Sequence, residues 1–303
     1  MGLALSIVIP TFNRAATLRQ SLQQLIPQAD ALGDDVEMIV VDDGSTDDTA
    51  QVVSSLARRG PVSIRYVHQP NRGPAAARNL GMHTARAEHI LFLGDDIFPQ
   101  PGLLEAHLNA YAHQEPRPTF AVLGLVIWDP SLEITPFMKW WGDQRLRFPA
   151  SRKPGFTDSW RFYTCNVSAQ REFLLADGGF DEEFPNAAFE DTELAFRLSK
   201  RGLELYFEPR ALAYHHHPTD IGAAYRQMET AGRSFQYFHH KTGYPGLPRN
   251  WRLIGSGPWM TRGIIRRAFA LAERWQDRFA CPPLWISILT YSFMVGRGSR
   301  PAL

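Results

Sequence analysis

VEMIVVDDGSTDDT (residues 36–49) runs without a break from strand to turn to helix start. Five of its first six residues are apolar, the composition of a strand covered on both faces. Two carboxylates, a glycine and Ser-Thr-Asp-Asp-Thr follow, residue types that build turns and cap helices. The same order recurs on both sides. LSIVIP (5–10), SIRYVHQ (63–69) and HILFLGDD (89–96) are also rich in Ile, Val and Leu, and helical periods occupy Ala16–Leu25, Thr49–Arg58 and Ala75–Thr84. Apolar strands separated by helices pair in parallel, so this alternation predicts an α/β fold with a doubly wound, mainly parallel sheet flanked by helices.

Ligands of such sheets bind beyond the carboxyl ends of the strands. Three of the four strands end there in Pro10-Thr11-Phe12-Asn13, Asp42-Asp43-Gly44-Ser45 and Gly94-Asp95-Asp96. Two carboxylate pairs on one sheet edge repel unless a cation or a set of donors compensates. Capping and turn chemistry is the competing use for Asp43, Ser45 and Asp47. Further on, FAVLGLVIW (120–128) and FYTCNVSA (162–169) read as strands. Residues 129–160, with several tryptophans and prolines and little periodicity, read as a long irregular excursion. FEDTELAFRLSKRG (189–202) reads as a helix with its acids first and its bases last, the order that suits the helix dipole. LELYFEPRALAYHHHP (203–218) reads as a strand leading into a histidine loop.

The 303 residues are 44% apolar and 21% charged, which permits a large core and argues against wholesale disorder. Two cysteines exclude a disulfide framework, and no Cys/His spacing suggests structural zinc. The N-terminus enters a strand without a basic region or an apolar leader, so a cytoplasmic rather than secreted protein is expected. The net charge of +1 conceals an asymmetry. Residues 220–303 hold 12 Lys/Arg against 4 Asp/Glu, a balance of +8, which leaves −7 for residues 1–219. The expected organisation is a domain over 1–219, split into halves 1–115 and 116–219, and a basic, mainly helical extension over 220–303.

SIVIPTFNR, IVVDDGSTDDT, NRGPAAARNLG, ILFLGDD, GGFDEEF, FEDTELAFRLSKRG and the histidine loop stand in the order found in family 2 inverting glycosyltransferases. Over roughly residues 5–217 the chain resembles that family, which implies the GT-A fold. It further implies transfer of a sugar from a nucleoside-diphosphate donor to a glycan or lipid-linked acceptor hydroxyl. The first half would then bind the nucleotide and the second the acceptor. By this resemblance Pro10, Phe12 and Asn13 line the nucleotide turn, with Phe12 against the base. Asp43 accepts from a base N–H, Arg78 holds base or ribose, and Asp95 reaches the ribose. Asp96 binds a divalent cation, Mn2+ or Mg2+, on the donor diphosphate. Many relatives carry a third acidic residue where this chain has Ile97. A histidine of the 215–217 loop would complete the metal site, His215 first and His217 as the alternative. Asp191 is the implied base, with Glu190, Asp181 and Asn166 near the donor sugar or acceptor. Cys165 reads as a small buried residue.

Three other readings compete. A catalytically silent nucleotide-sugar-binding or scaffold protein would share the fold but need not keep both Asp96 and Asp191. A sugar-phosphate nucleotidyltransferase would open with a glycine-rich basic loop, whereas PTFNRAAT has no glycine. Nucleic-acid binding finds no basic-aromatic motif in the tail. Within that tail, Arg262, Arg266, Arg267, Arg274 and Arg278 interleave with apolar residues. The pattern leaves open a peripheral contact with an anionic membrane on its inner face, packing on the catalytic domain, or a homo-oligomer contact. LWISILTYSFMVG (284–296) is too short to span a bilayer.

Overall fold

The computed structural model describes residues 4–57, 62–113, 117–145, 153–244, 262–277 and 281–296. They divide into two compact units, Met1–Asp129 with Phe148–Glu182 and Glu190–His217, and Pro130–Arg147 with Glu183–Phe189 and Pro218–Leu303. The alternation read from the sequence opens the first unit. It comprises β1 (Leu5–Thr11), α1 (Ala15–Leu32), β2 (Val36–Asp42), α2 (Thr49–Ala57), β3 (Ser63–His68), α3 (Pro74–Thr84) and β4 (His89–Leu93). Strands β3, β2, β1 and β4 lie side by side in parallel. Leu5, Ile7, Val8 and Ile9 of β1 and Met38, Ile39, Val40 and Val41 of β2 are fully enclosed. Consecutive residues point to opposite faces, so unbroken burial means both faces are covered, and the runs do not alternate with polar residues. α1 continues past Leu25, through Pro27, to a stop at Gly33 with φ 64°. One lost backbone bond at Pro27 is tolerated because Leu25 and Ala29 on either side of it are fully buried.

The chain continues with β5 (Ile97–Pro99), α4 (Leu103–Ala112), β6 (Phe120–Trp128), α5 (Pro136–Arg145), β7 (Gly155–Thr157), β8 (Asn166–Gln170), α6 (Arg171–Leu175), α7 (Glu190–Ser199) and β9 (Glu204–His215). The sheet order is β3-β2-β1-β4-β8-β6-β9-β5, with β7 also on β9. It is parallel as far as β4 and mixed beyond. β8 runs antiparallel to β4 and β6, β6 and β9 are parallel, and β5 and β7 are antiparallel to β9. The β6–β9 register shifts between Gly124 and Leu125, opposite Glu208 and Leu212. Pro209, which lacks a ladder N–H, lies in that interruption. β8 starts at Asn166, later than FYTCNVSA suggested.

The segment 129–160 is less irregular than expected. α5 lies within it, in the second unit. Thr135 Oγ1 accepts from Met138 N at 3.2 Å and Pro136 opens the helix, a start signal obscured by the surrounding tryptophans and prolines. Phe137, Met138 and Trp141 form its buried face. The second unit also holds α8 (Ile221–Thr242), α9 (Arg262–Trp275) and α10 (Pro282–Gly296). Trp285 of α10 packs on Phe137 and Trp140, and Phe293 packs on Phe235. Trp285 and Phe293 of the tail's apolar run are thus covered within their own unit. Among the described residues no helix is long and apolar enough to cross a membrane. Arg58, residues 115 and 116 at the expected boundary between halves, Arg278 and the side chains of Arg262 and Arg266 lie outside what is described.

Candidate active site

The carboxyl ends of β1 and β2 are tied into one surface. Asn13, at φ 52°, donates its backbone N–H to Ser45 Oγ (2.9 Å) and accepts from Thr46 N on Oδ1 (2.8 Å). Asn tolerates this left-handed backbone better than most residues. Asp47 Oδ2 accepts from Ala15 N at 2.9 Å, closing the start of α1. Phe12, just before these ties, is 45% exposed, and Pro10 is half-buried between the enclosed Ile9 and Thr11. Asp42 accepts from Ser45 N (2.8 Å) and the Tyr66 hydroxyl (2.5 Å), so burial and that carboxylate push the Tyr66 hydroxyl above its usual range. Asp43 is filled more than the sequence suggested. It accepts from Gln69 Nε2 (2.6 Å), Arg72 N (2.8 Å) and Gly73 N (2.9 Å). A carboxylate has about four acceptor positions, so one remains for a ligand.

β4 leads directly into Asp95 and Asp96, and β5 pairs with the end of β9 so that Ile97 faces His215. This register, and not sequence proximity, carries the histidine loop to the carboxylates. Side chains alternate along an extended chain, and here His215 and His217 both turn to Asp96. His215 Nε2 stands 3.5 Å and His217 Nδ1 3.3 Å from Asp96 Oδ2. His216 turns away, with Nδ1 bonded to Asp129 Oδ2 (2.7 Å) and its ring stacked on Phe98 (4.9 Å). Its backbone N–H donates to the Asp96 carbonyl at 2.9 Å. Trp128 stacks on His215 at 5.3 Å. The two histidines are therefore joint members of the cluster, where the sequence had left a choice between them. Their ligand atoms and that of Asp96 lie within 4.8 Å of one another, a carboxylate and two imidazoles able to hold a divalent cation.

Arg14 completes this centre and was not singled out by its motif. Its Nη1 lies 3.0 Å from Asp95 Oδ1 and 2.7 Å from Asp96 Oδ2. Asp95 also accepts from Thr11 Oγ1 at 2.9 Å. Burial pushes the Asp95 carboxyl up, with the Arg14 charge opposing it. At Asp96 burial acts in the same direction but is outweighed. Hydrogen bonds from His215 and His217 and the charges of His215 and Arg14 hold this carboxyl well below the usual range.

A second polar centre lies at the start of α7. Glu190, 6% exposed, pairs with Arg78 Nη1 at 2.9 Å. Arg78 also lies over the Phe180 ring at 5.4 Å. Arg78 is thus placed against Glu190, whereas the sequence assigned it to base or ribose. Arg78 Nε and Glu190 Oε2 are buried without a protein partner. Asp191 accepts from Thr192 N at 2.7 Å. Burial, and then the Glu190 charge, push its carboxyl up to about 6, with Arg78 and Thr192 opposing. Cys165 lies beside this centre. Burial and the charges of Asp191 and Asp96 push its thiol up to about 12, so it stays protonated and unreactive. Asp181 follows Gly178 and Gly179, both at positive φ, and is partly buried. Next to it Glu182 receives Arg72 (2.6 Å) and Asn79 (2.9 Å), tying this loop to α3.

Asn166 is placed elsewhere. It is fully buried, donating Nδ2–H to the Ala211 carbonyl (2.9 Å) and bonding His107 Nε2 through Oδ1 (2.9 Å). A Cβ at Gly124 would stand 2.1 Å from its Nδ2, so β6 carries glycine to admit this amide. Asn166→Ala is therefore expected to cost about 2–4 kcal/mol, because it strands a buried carbonyl and an imidazole nitrogen. Urea unfolding measures the loss, while the folded fraction keeps its ligand affinity.

Residues 6–164 match the family model "Glycosyl transferase family 2". The chain belongs to glycosyl transferase family 2. Among its relatives, the validoxylamine A glucosyltransferase of Streptomyces hygroscopicus subsp. jinggangensis is 35% identical over 229 residues, covering 66% of this chain and 52% of the relative. The chondroitin synthase of Pasteurella multocida is 29% identical, over 72% of this family 2 chain and 25% of its own length. The chain spans about half the length of the validoxylamine A glucosyltransferases it matches. Among solved structures, the mannosyltransferase PcManGT from Pyrobaculum calidifontis, in complex with GDP-Man and Mn2+, superimposes with a TM-score of 0.65. It covers 97% of this chain and 86% of its own at 19% identity. GalNAc-T7 with UDP, GalNAc and Mn2+ gives 0.53, covering 82% and 52% at 15% identity. The fold of this family 2 chain is the GT-A fold expected, an α/β sheet with a helical C-terminal region.

Proposed function

We propose that this family 2 chain is a metal-dependent inverting glycosyltransferase, moving a sugar from a nucleoside-diphosphate donor to the hydroxyl of a glycan or lipid-linked acceptor. Residues 1–219 carry the chemistry and the basic 220–303 forms an extension. The observation that supports this most is the gathering of one carboxylate and two imidazoles, Asp96, His215 and His217, into a cluster able to hold a divalent cation at the carboxyl end of the sheet. A leaving diphosphate needs positive charge, and an attacking hydroxyl must lose a proton.

The exposed face of Phe12 offers a platform for a flat base, and Asp43 has one acceptor position left for a base N–H. Asp95 accepts from ribose hydroxyls. Asp96, His215 and His217 hold the cation, and a donor set with two imidazoles suits Mn2+ better than the oxygen-seeking Mg2+. When bound, the cation offsets the charge developing on the departing diphosphate. Glu190, held in its ion pair with Arg78, borders the donor sugar or the acceptor. Asp191 takes the acceptor proton, and its raised pKa makes it a better base than an exposed carboxylate. Asp181 lies near the sugar. The chain's relatives include a glucosyltransferase and a chondroitin synthase, and two of its structural neighbours hold Mn2+.

Thermal-shift screening of UDP-, GDP-, dTDP- and CMP-sugars with and without Mn2+ tests the proposal. One nucleotide class stabilises the chain only with Mn2+; no Mn2+-dependent binding in any class overturns it. The histidine pair also depends on a support. Asp129→Ala frees His216, whose backbone holds the Asp96 carbonyl between the two ligating histidines. Mn2+ affinity, read by electron paramagnetic resonance, is expected to fall about tenfold, the low end for a residue behind the ligands.

A further inference from the structure

Arg14 stands where the proposed cation chemistry needs room. Its Nη1 bridges Asp95 Oδ1 at 3.0 Å and Asp96 Oδ2 at 2.7 Å. The second of these oxygens also faces both His215 and His217. Two largely buried neighbouring carboxylates repel unless a positive charge lies between them, and here the Arg14 guanidinium supplies it. A divalent cation and a guanidinium cannot share one carboxylate oxygen without like-charge repulsion at close range.

The ends of the Arg14 side chain are held differently. Its backbone is fixed, because Asn13 is tied to Ser45 and Thr46, Ala15 N donates to Asp47, and the Arg14 carbonyl accepts from Leu18 N. Its side chain is 43% exposed, with room to turn outward. A guanidinium displaced from two carboxylates, yet anchored within a side chain's length of them, is placed for another anionic partner that offers it two oxygens.

We propose that Arg14 is an exchangeable counter-ion: it neutralises Asp95 and Asp96 in the donor-free chain, yields Asp96 to the divalent cation, and passes to the donor's diphosphate. This inference rests on reading Asp96, His215 and His217 as the cation ligands. Cation alone must displace Arg14 from Asp96, whereas cation with nucleoside diphosphate gives the guanidinium a new partner. The two ligands therefore bind cooperatively.

Isothermal titration of the full chain with Mn2+ alone, and with nucleoside diphosphates at saturating Mn2+, tests this on Arg14→Gln. Arg19→Gln, at an exposed position on α1, the helix that Arg14 precedes, removes the same charge and serves as the control. Without nucleotide, Arg14→Gln is expected to bind Mn2+ about tenfold more tightly, and with Mn2+ to bind the nucleoside diphosphate about tenfold more weakly, the scale of one charge-assisted contact. Arg19→Gln leaves both affinities unchanged. Mn2+ binding by Arg14→Gln that is equal or weaker overturns the proposal, as does a like shift in Arg19→Gln. Unchanged diphosphate affinity overturns the transfer. If wild-type and Arg14→Gln chains both fail to bind Mn2+, the reading of the cation ligands fails and takes this inference with it. If Mn2+ binds and Asp96→Ala abolishes it while Arg14→Gln has no effect, the ligand reading stands and only the exchange is refuted.

Discussion

Asp191→Asn is expected to lower turnover about 10³-fold and to leave donor binding intact, an effect of the size of a positioned general base. The amide keeps the geometry, because an Asn Oδ1 still accepts from Thr192 N as the carboxylate does. It cannot take a proton from the acceptor hydroxyl. The pH profile provides the second readout. Burial and the Glu190 charge push the Asp191 carboxyl up to about 6, so the group is charged and active above that pH and neutral below it. In the wild-type chain kcat/KM should therefore rise with pH through about 6 and level off, falling at pH 5 to about a tenth of the plateau. In Asp191→Asn that limb disappears from the residual activity. A variant that keeps both its rate and its acidic limb removes Asp191 from the mechanism. Steady-state kinetics across pH 4.5–8 decide the matter, with nucleotide binding as the control for folding.

Asp96→Ala is expected to abolish the response to Mn2+. One oxygen of this carboxylate meets Arg14, His215 and His217, so its removal takes the charge from the centre of the cluster and leaves only two imidazoles. Two neutral nitrogens bind a hard divalent cation poorly. Mn2+ affinity should fall about 100-fold or more, equivalent to roughly 2.7 kcal/mol. Arg14 retains Asp95 as a partner, and Thr11 still donates to Asp95, so the surrounding turn keeps its shape. Calorimetric titration with Mn2+ measures the loss. Donor binding measured with and without Mn2+ should show the same weak value in both. An unchanged metal response in this variant means the cation binds elsewhere.

Much of the site is legible in the residues because strand ends place chemistry at one edge of a doubly wound sheet. The placing of Asp43, Asp95 and Asp96 follows from apolar runs that end in carboxylates, whereas Asp191 was assigned through the family resemblance, because acids at a helix start by themselves only suit the dipole. Several partners are not legible, because they depend on elements far apart in sequence. Arg14 meets Asp95 and Asp96 across more than eighty residues, since β1 and β4 are adjacent in the sheet. Arg78 reads as a nucleotide contact in its own motif, yet it meets Glu190 across 112 positions. Asn166, in a strand thought to face the site, turns inward to His107 and Ala211. α5 had a local signal in Thr135-Pro136 that composition masked.

The sequence by itself determined the order of the first four strands and three helices, the parallel first half of the sheet, and the edge on which its acids gather. Apolar period and turn chemistry act over a few residues, and those features are local. Only the tertiary structure decided which side chains meet. The antiparallel seating of β5 on β9 sets Ile97 opposite His215, and alternation along the strand then turns His215 and His217 to Asp96 and His216 to Asp129. A register shift of one residue would exchange those faces. Register is set by pairing between distant segments, so it is absent from any single stretch of the chain.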